Sequence, residues 1–307
     1  MQCTNSLSQE FTKNRTLFLM AVPAVLLVFV LSYIPMTGLI LAFKNYRYDK
    51  GIFGSAWHGF ENFRFLFSSG TGWIITRNTI LYNVLNLFTS QALAIIIAII
   101  ICEIPGRFFK RFCQSAIFLP YFISWVIVGT FVFQIFNFES GIMNNILKFF
   151  GKEPVNVYSM PGVWPFIICI FNSWKWCGYN SIIYIAAITA IDAECYEAAD
   201  IDGAHIFQKI AHITLPAIRP TISIMLLFNI GRILRGDFEM FYQIVGNNGQ
   251  LFNATDVIDT YVFRSLLTSA NIGMTAAATL YQSVLCFIII VVVNHIVKKV
   301  EADYALF

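Results

Sequence analysis

Six apolar stretches, each long enough to cross a bilayer, limit what this chain can fold into. They cover residues 16–43, 78–101, 112–136, 164–191, 216–245 and 274–297. A bilayer core takes roughly 20 mostly apolar residues per helix. Within it only helices and closed barrels satisfy the backbone, and runs of this length are helical. Charged residues make up 12% of the 307-residue chain, where a soluble domain carries about 25%. The expectation is an all-α integral membrane protein with six transmembrane helices. The first stretch follows Lys13 and Arg15, as a secretory signal would. Its apolar run far exceeds the roughly 7–15 residues of a signal core, so it is read as an uncleaved helix. Pro23 and Pro35 lie within it, and membrane helices tolerate proline where neighbours rescue the freed backbone groups.

Six spans put both termini on one side. The positive-inside rule then places the dense basic sites in the cytoplasm. These are Arg107, Lys110 and Arg111 in one tight turn, and the Lys298-Lys299 pair. The longer loops, 44–74 and 137–163, fall outside, with glycines and prolines that suggest ordered structure. They serve either as simple connections or as a landing surface for an extracellular partner. The chain divides into an N-terminal part (1–75), a five-helix core (76–297) holding a polar loop at 192–216, and a cytoplasmic tail (298–307).

Several functions are excluded. The net charge of +3 and the lack of a basic run argue against nucleic acid. Seven cysteines are scattered without a C-x-x-C pair, and four histidines form no H-E-x-x-H or similar spacing, so no metal site is expected. Neither a G-x-S-x-G elbow nor a G-x-x-x-x-G-K-[ST] phosphate loop occurs, so no catalytic residues are assigned and the chain binds no cofactor of its own.

The polar loop carries the most specific pattern. Glu197-Ala198-Ala199 is followed after three residues by Gly203, and after nine more by Ile213-Thr214-Leu215-Pro216. Residues 196–201 can form one short helix, with acids near its N-terminal end where the helix dipole favours them. Gly203 can take positive φ and turn the chain. Residues 204–210 can form a second short helix, with Ile206, Phe207 and Ile210 on one face, and Pro216 can open the fifth span. Such a stripe either packs on the chain's own helix ends or enters a groove on another protein.

This pattern resembles the signature loop of the membrane subunits of binding-protein-dependent ABC importers, with every fixed position filled. Over nearly its whole length the chain is similar to sugar permeases of the carbohydrate-uptake branch. It looks like the polysaccharide or complex-oligosaccharide type through Tyr33-Ile34-Pro35-Met36, Ala42-Phe43-Lys44-Asn45-Tyr46, Asp237-Phe238-Glu239, 256–262, Tyr281-Gln282-Ser283, Asn294 and Leu306-Phe307. The resemblance implies a type I importer fold with a coupling helix between the fourth and fifth spans. It assigns ATPase coupling to Glu197, Ala198, Ala199, Asp202, Gly203, Ile206, Phe207, Ile210, Leu215 and Pro216. It also implies a second homologous permease, two ATPase subunits that use ATP and Mg, an extracellular solute-binding protein, and alternating access.

Polar groups inside spans are costly and usually face a bundle interior or water. The fourth span carries Asn172, Trp174, Lys175, Trp176 and Tyr179, and the fifth Arg232, Arg235 and Glu239. Flat rings beside hydrogen-bonding groups suit a sugar, and the cations suit an acidic one. The same residues also fit an interfacial aromatic belt with local pairing of Arg235 to Asp237 or Glu239. An ATP-independent secondary transporter or channel is the alternative; it calls for mid-span coupling carboxylates, of which this chain has few.

Overall fold

The computed structural model describes residues 14–68, 70–230, 233–269 and 271–300. The chain is mainly helical. α1 (Arg15–Val28) continues through a π-helical turn (Phe29–Tyr33) and a short α turn into a 3-10 stretch (Thr37–Phe43), giving 29 residues in one rod. Next, β1 (Lys44–Asn45) and β2 (Ala56–Trp57) pair antiparallel. α2 (Thr71–Glu103) has 33 residues. It starts earlier than the hydropathy suggests, because its first turns carry the polar residues Thr76, Asn78 and Thr79. These are buried and bonded: Asn78 Nδ2 donates to Asp256 O at 3.1 Å, and Thr79 Oγ1 accepts from Ile258 N at 3.0 Å.

The third apolar stretch is not one helix. α3 (Arg107–Phe118) passes into a 3-10 turn (Leu119–Phe122), and α4 (Trp125–Phe136) leaves at 92°. Pro120 has no N–H to continue an α-helix, and Ile123 and Ser124 are extended. α5 (Ile142–Phe149) lies in the following loop, and α6 (Trp164–Thr189) has 26 residues. α7 (Ala193–Ile201) occupies the polar loop. α8 (Ile206–Lys209) is not a separate short helix. It runs through a π turn (Ile210–Thr214) into α9 (Leu215–Ile230), so Pro216 lies within a continuous 25-residue helix rather than opening it. A π turn beside proline relieves the missing hydrogen bond. The fifth span also stops short of residue 245. Its helix is described as far as Ile230, residues 235–237 are non-helical, and α10 (Phe238–Val245) follows as a separate segment. α11 (Ile258–Ser269) and α12 (Ile272–Val300) complete the chain.

Among the described residues, four helices are long and apolar enough to cross a membrane, or five if the bent α3–α4 pair is one span. α6 matches them in length, but Asn172, Ser173, Lys175, Asn180 and Ser181 dilute its hydropathy. The core is built on the α2–α6 pair, which runs parallel, with the starts of both helices at one end and their last turns at the other. Tyr82, Trp164, Ile168 and Phe241 fill one end, and Ala98, Tyr184, Ile188 and Ile218 the other. In lipid, such helices hold together by close packing at small residues and by hydrogen bonds. Gly178 supplies the closest approach on α6: a Cβ there would lie 2.1 Å from Ile117 O. Gly129 does the same for α4 against α10, with Gln243 O at 2.4 Å. Tyr184 Oη donates to Gln91 Oε1 at 2.6 Å across the α2–α6 pair. α1 differs from these helices, because none of its most apolar window is buried, against 33% for α2.

Loops 44–74 and 137–163 are ordered by side chains bonded to backbone. Asn62 Nδ2 donates to Ala42 O and Lys44 O at 3.0 and 2.9 Å. Asn144 is fully buried and bridges Phe138 and Val155, accepting from Val155 N at 2.8 Å.

Candidate functional site

Two places draw the singled-out residues together. The first is the polar loop. Asp192 caps α7, accepting from Glu194 N at 3.1 Å. α7 ends where Gly203 takes φ +73° and Ala204 N reaches back to Ala199 O at 2.9 Å. A side chain at that φ is strained, which gives the motif glycine its reason. His205 and Gln208 form a reciprocal cap at the start of α8, with His205 Nδ1 accepting from Gln208 N at 3.3 Å and Gln208 Oε1 from His205 N at 2.9 Å. The Lys209 ammonium pairs with Asp200, and Tyr196 and Thr214 share a hydroxyl hydrogen bond of 2.9 Å. The polar groups of the loop therefore hold its two helices together. Its apolar groups are left outside: Ile201 is 87% exposed, Phe207 74% and Ile206 44%, while Ile210 is half-buried. Glu197, Ala198, Asp202, Leu215 and Pro216 are exposed, and Ala199 is half-buried.

The second place is where the two interrupted spans meet α6. Lys175 is only 6% exposed. Its ammonium donates to Tyr121 O at 3.1 Å, to Pro120 O at 3.5 Å and to Ile123 O. An ammonium has three donors, and all three meet carbonyls at the bend, that of Pro120 sharing its oxygen with Ile123 N at 3.2 Å. The ammonium also lies 5.2 Å from the Trp125 ring centroid. Trp125 Nε1 in turn donates to Asp237 Oδ2 at 3.1 Å, while Asp237 Oδ1 caps α10 by accepting from Met240 N at 3.2 Å. The interrupted fifth span is held from its other side. Gly236 N donates to Asp259 Oδ2 at 2.7 Å, and Gln282 Nε2 donates to Leu234 O at 2.6 Å and to Asp259 Oδ2 at 3.1 Å.

The aromatic residues of α6 divide between two faces. Trp176 and Tyr179 join Tyr121 and Phe118 at the bend, with Tyr121 and Tyr179 stacked at 4.6 Å. Trp174 sits about 200° around the helix from Trp176; it is 36% exposed and meets Phe171 edge-on. Asn172 is buried, while Arg235 and Glu239 are exposed. Arg235 lies within electrostatic reach of Asp259 instead of forming an ion pair with Asp237 or Glu239. Arg232 lies outside the described residues. Reading the sequence missed Trp125, Tyr121, Asp259 and the role of Gln282. Pro120 and Gly236 were the local signals of the breaks. Among the described residues, no group of three His, Cys, Asp or Glu side chains is placed to hold a metal.

Known proteins fit this arrangement. The family described as binding-protein-dependent transport system inner membrane component matches residues 92–302. The polygalacturonan/rhamnogalacturonan transport system permease protein YteP of Bacillus subtilis (strain 168) is 32% identical over 290 residues, covering 94% of this chain and 90% of that protein. The arabinooligosaccharides transport system permease protein AraP of Halalkalibacterium halodurans is 28% identical, covering 85% and 75%. Among solved structures, a bacterial ABC transporter involved in the import of the acidic polysaccharide alginate superposes with TM-score 0.86 at 31% identity, covering 97% of this chain and all of that one. The bacterial alginate ABC transporter in complex with an alginate pentasaccharide-bound periplasmic protein gives 0.85 at 31% identity, covering 96% and 98%. With most of its length matched by the family and by full-length relatives, the chain belongs to the inner membrane components of binding-protein-dependent transport systems.

Proposed function

We propose that this chain is one of two homologous permease subunits of an ATP-driven, binding-protein-dependent importer of oligosaccharides or polysaccharide fragments. The observation that carries this reading is the 192–214 loop: its polar groups are bonded within the chain while Ile201, Ile206 and Phe207 stand in the open. A cytoplasmic ATPase groove is the occupant that fits, because the chain has no phosphate loop of its own. α6 and the bent α3–α4 pair, counted with the four long apolar helices, make six crossings with both termini cytoplasmic. Two ATPase subunits using ATP and Mg would press on α7 and α8. The bundle would then open toward an extracellular binding protein, and hydrolysis would reset it.

The substrate class follows from the relatives, two of which are named for acidic polysaccharides. Arg235, Glu239, Trp174 and Tyr179 are the exposed polar and aromatic groups around the interrupted spans that suit a saccharide. Uptake by the reconstituted complex tests the reading. Gly203→Pro and Glu197→Lys should each abolish uptake while membrane insertion stays intact; normal uptake with either change contradicts the coupling role. Arg235→Ala should lower uptake of an oligogalacturonide more than uptake of a neutral arabino-oligosaccharide. An equal effect on both removes the argument for an acidic substrate.

A further inference from the structure

Two interrupted spans are uncommon enough in one small bundle to ask what holds each break, and whether they are held independently. The bend at 119–124 is tied by the Lys175 ammonium. The interruption before α10 is tied by Asp259 and Gln282 on its far side. A single side chain touches both. Trp125 is the first residue of α4, directly after the bend, and it is 4% exposed. Its ring lies by the Lys175 ammonium and its indole N–H holds Asp237, the residue that caps α10. Gly129 on α4 approaches α10 backbone to backbone one turn further on, so α4 and α10 are fastened at two neighbouring points.

We propose that Trp125 is a positioning residue that makes the two breaks move as one unit during the transport cycle. Its hydrogen bond to Asp237 is the link. An indole N–H to a carboxylate is a charge-assisted bond, and its donor Trp125 is 4% exposed. The proposal rests on the importer reading only for the cycle, since the link itself belongs to this chain.

Two conservative changes isolate the bond. Trp125→Phe keeps a ring beside Lys175 and removes the donor. Asp237→Asn keeps one oxygen to cap α10 and replaces the oxygen that faces Trp125. On the detergent-purified chain, each should lower the Tm by a similar amount, and the double variant should fall no further than either single. Additive shifts would show that the two residues act separately and would overturn the link. On the full complex in nanodiscs, hydrogen exchange is compared between the nucleotide-free and vanadate-trapped states. In the unaltered chain, segments 119–124 and 233–241 should change their exchange together. In Trp125→Phe the two segments should part, with one changing and the other not. Separate behaviour in the unaltered chain, or joint behaviour in the variant, overturns the proposal. A complex without vanadate-sensitive ATPase would instead count against the importer reading, and the thermal cycle would still decide the link.

Discussion

At the junction of the interrupted spans, polar side chains turn inward and reach backbone groups far away in sequence. Lys175 serves carbonyls more than 50 residues distant, and Gln282 serves Leu234. On the 192–214 loop the arrangement is reversed. Its polar bonds span at most 18 residues, and its large apolar side chains face outward. One region lies within spans and the other between them. The junction is completed by the chain itself, whereas the loop leaves Ile201, Ile206 and Phe207 exposed. The difference teaches which changes should damage the protein and which should damage only its partnership.

Lys175→Met is the most severe test of that contrast. It removes the ammonium that serves the Tyr121 and Ile123 carbonyls, each worth about 1–3 kcal/mol, so a loss of about 2 kcal/mol or more is expected in thermal unfolding of the detergent-purified chain. A loss below about 1 kcal/mol would remove the distinction between the two regions. Gly178→Ala comes next. Its new Cβ would meet Ile117 O at 2.1 Å, and overpacking against backbone costs about 1–3 kcal/mol. On the loop, Gly203→Ala should cost about 1 kcal/mol, the strain of a left-handed residue with a side chain. Phe207→Asp should sit at the bottom of the stability scale, within about 0.5 kcal/mol of the parent, while ATPase subunits no longer co-purify. A Phe207→Asp chain that unfolds would show that the loop is part of the core after all.

The sequence made the spans legible because twenty apolar residues in a row admit few other fates. It also made the loop legible, since Gly203 at positive φ and the acids at the start of α7 are local requirements. It did not reveal where spans break. Hydropathy averages over a window, so a 3-10 turn of Leu119, Pro120, Tyr121 and Phe122 looks as apolar as a helix. The sequence likewise grouped Lys175 with solute-facing residues, because charge inside a span is a signal without an address. The address is Tyr121 and Ile123, brought close only by the bend. Trp174 and Trp176 were grouped by their spacing in sequence, yet a two-residue step on a helix turns them to nearly opposite sides.

The continuity of α8 with α9 has a mechanical reading. Ile218 is fully buried in the core shared by α2 and α6, and it lies midway between Ile206 and Ile230, the ends of the 25-residue helix. Each arm is about 18 Å at 1.5 Å per residue. A tilt about that fixed point moves the two ends by equal amounts in opposite directions. Were the helix to tilt as a rigid body, it would be an equal-armed lever with no gain, and a shift at Phe207 would reach the end at Ile230 neither magnified nor reduced.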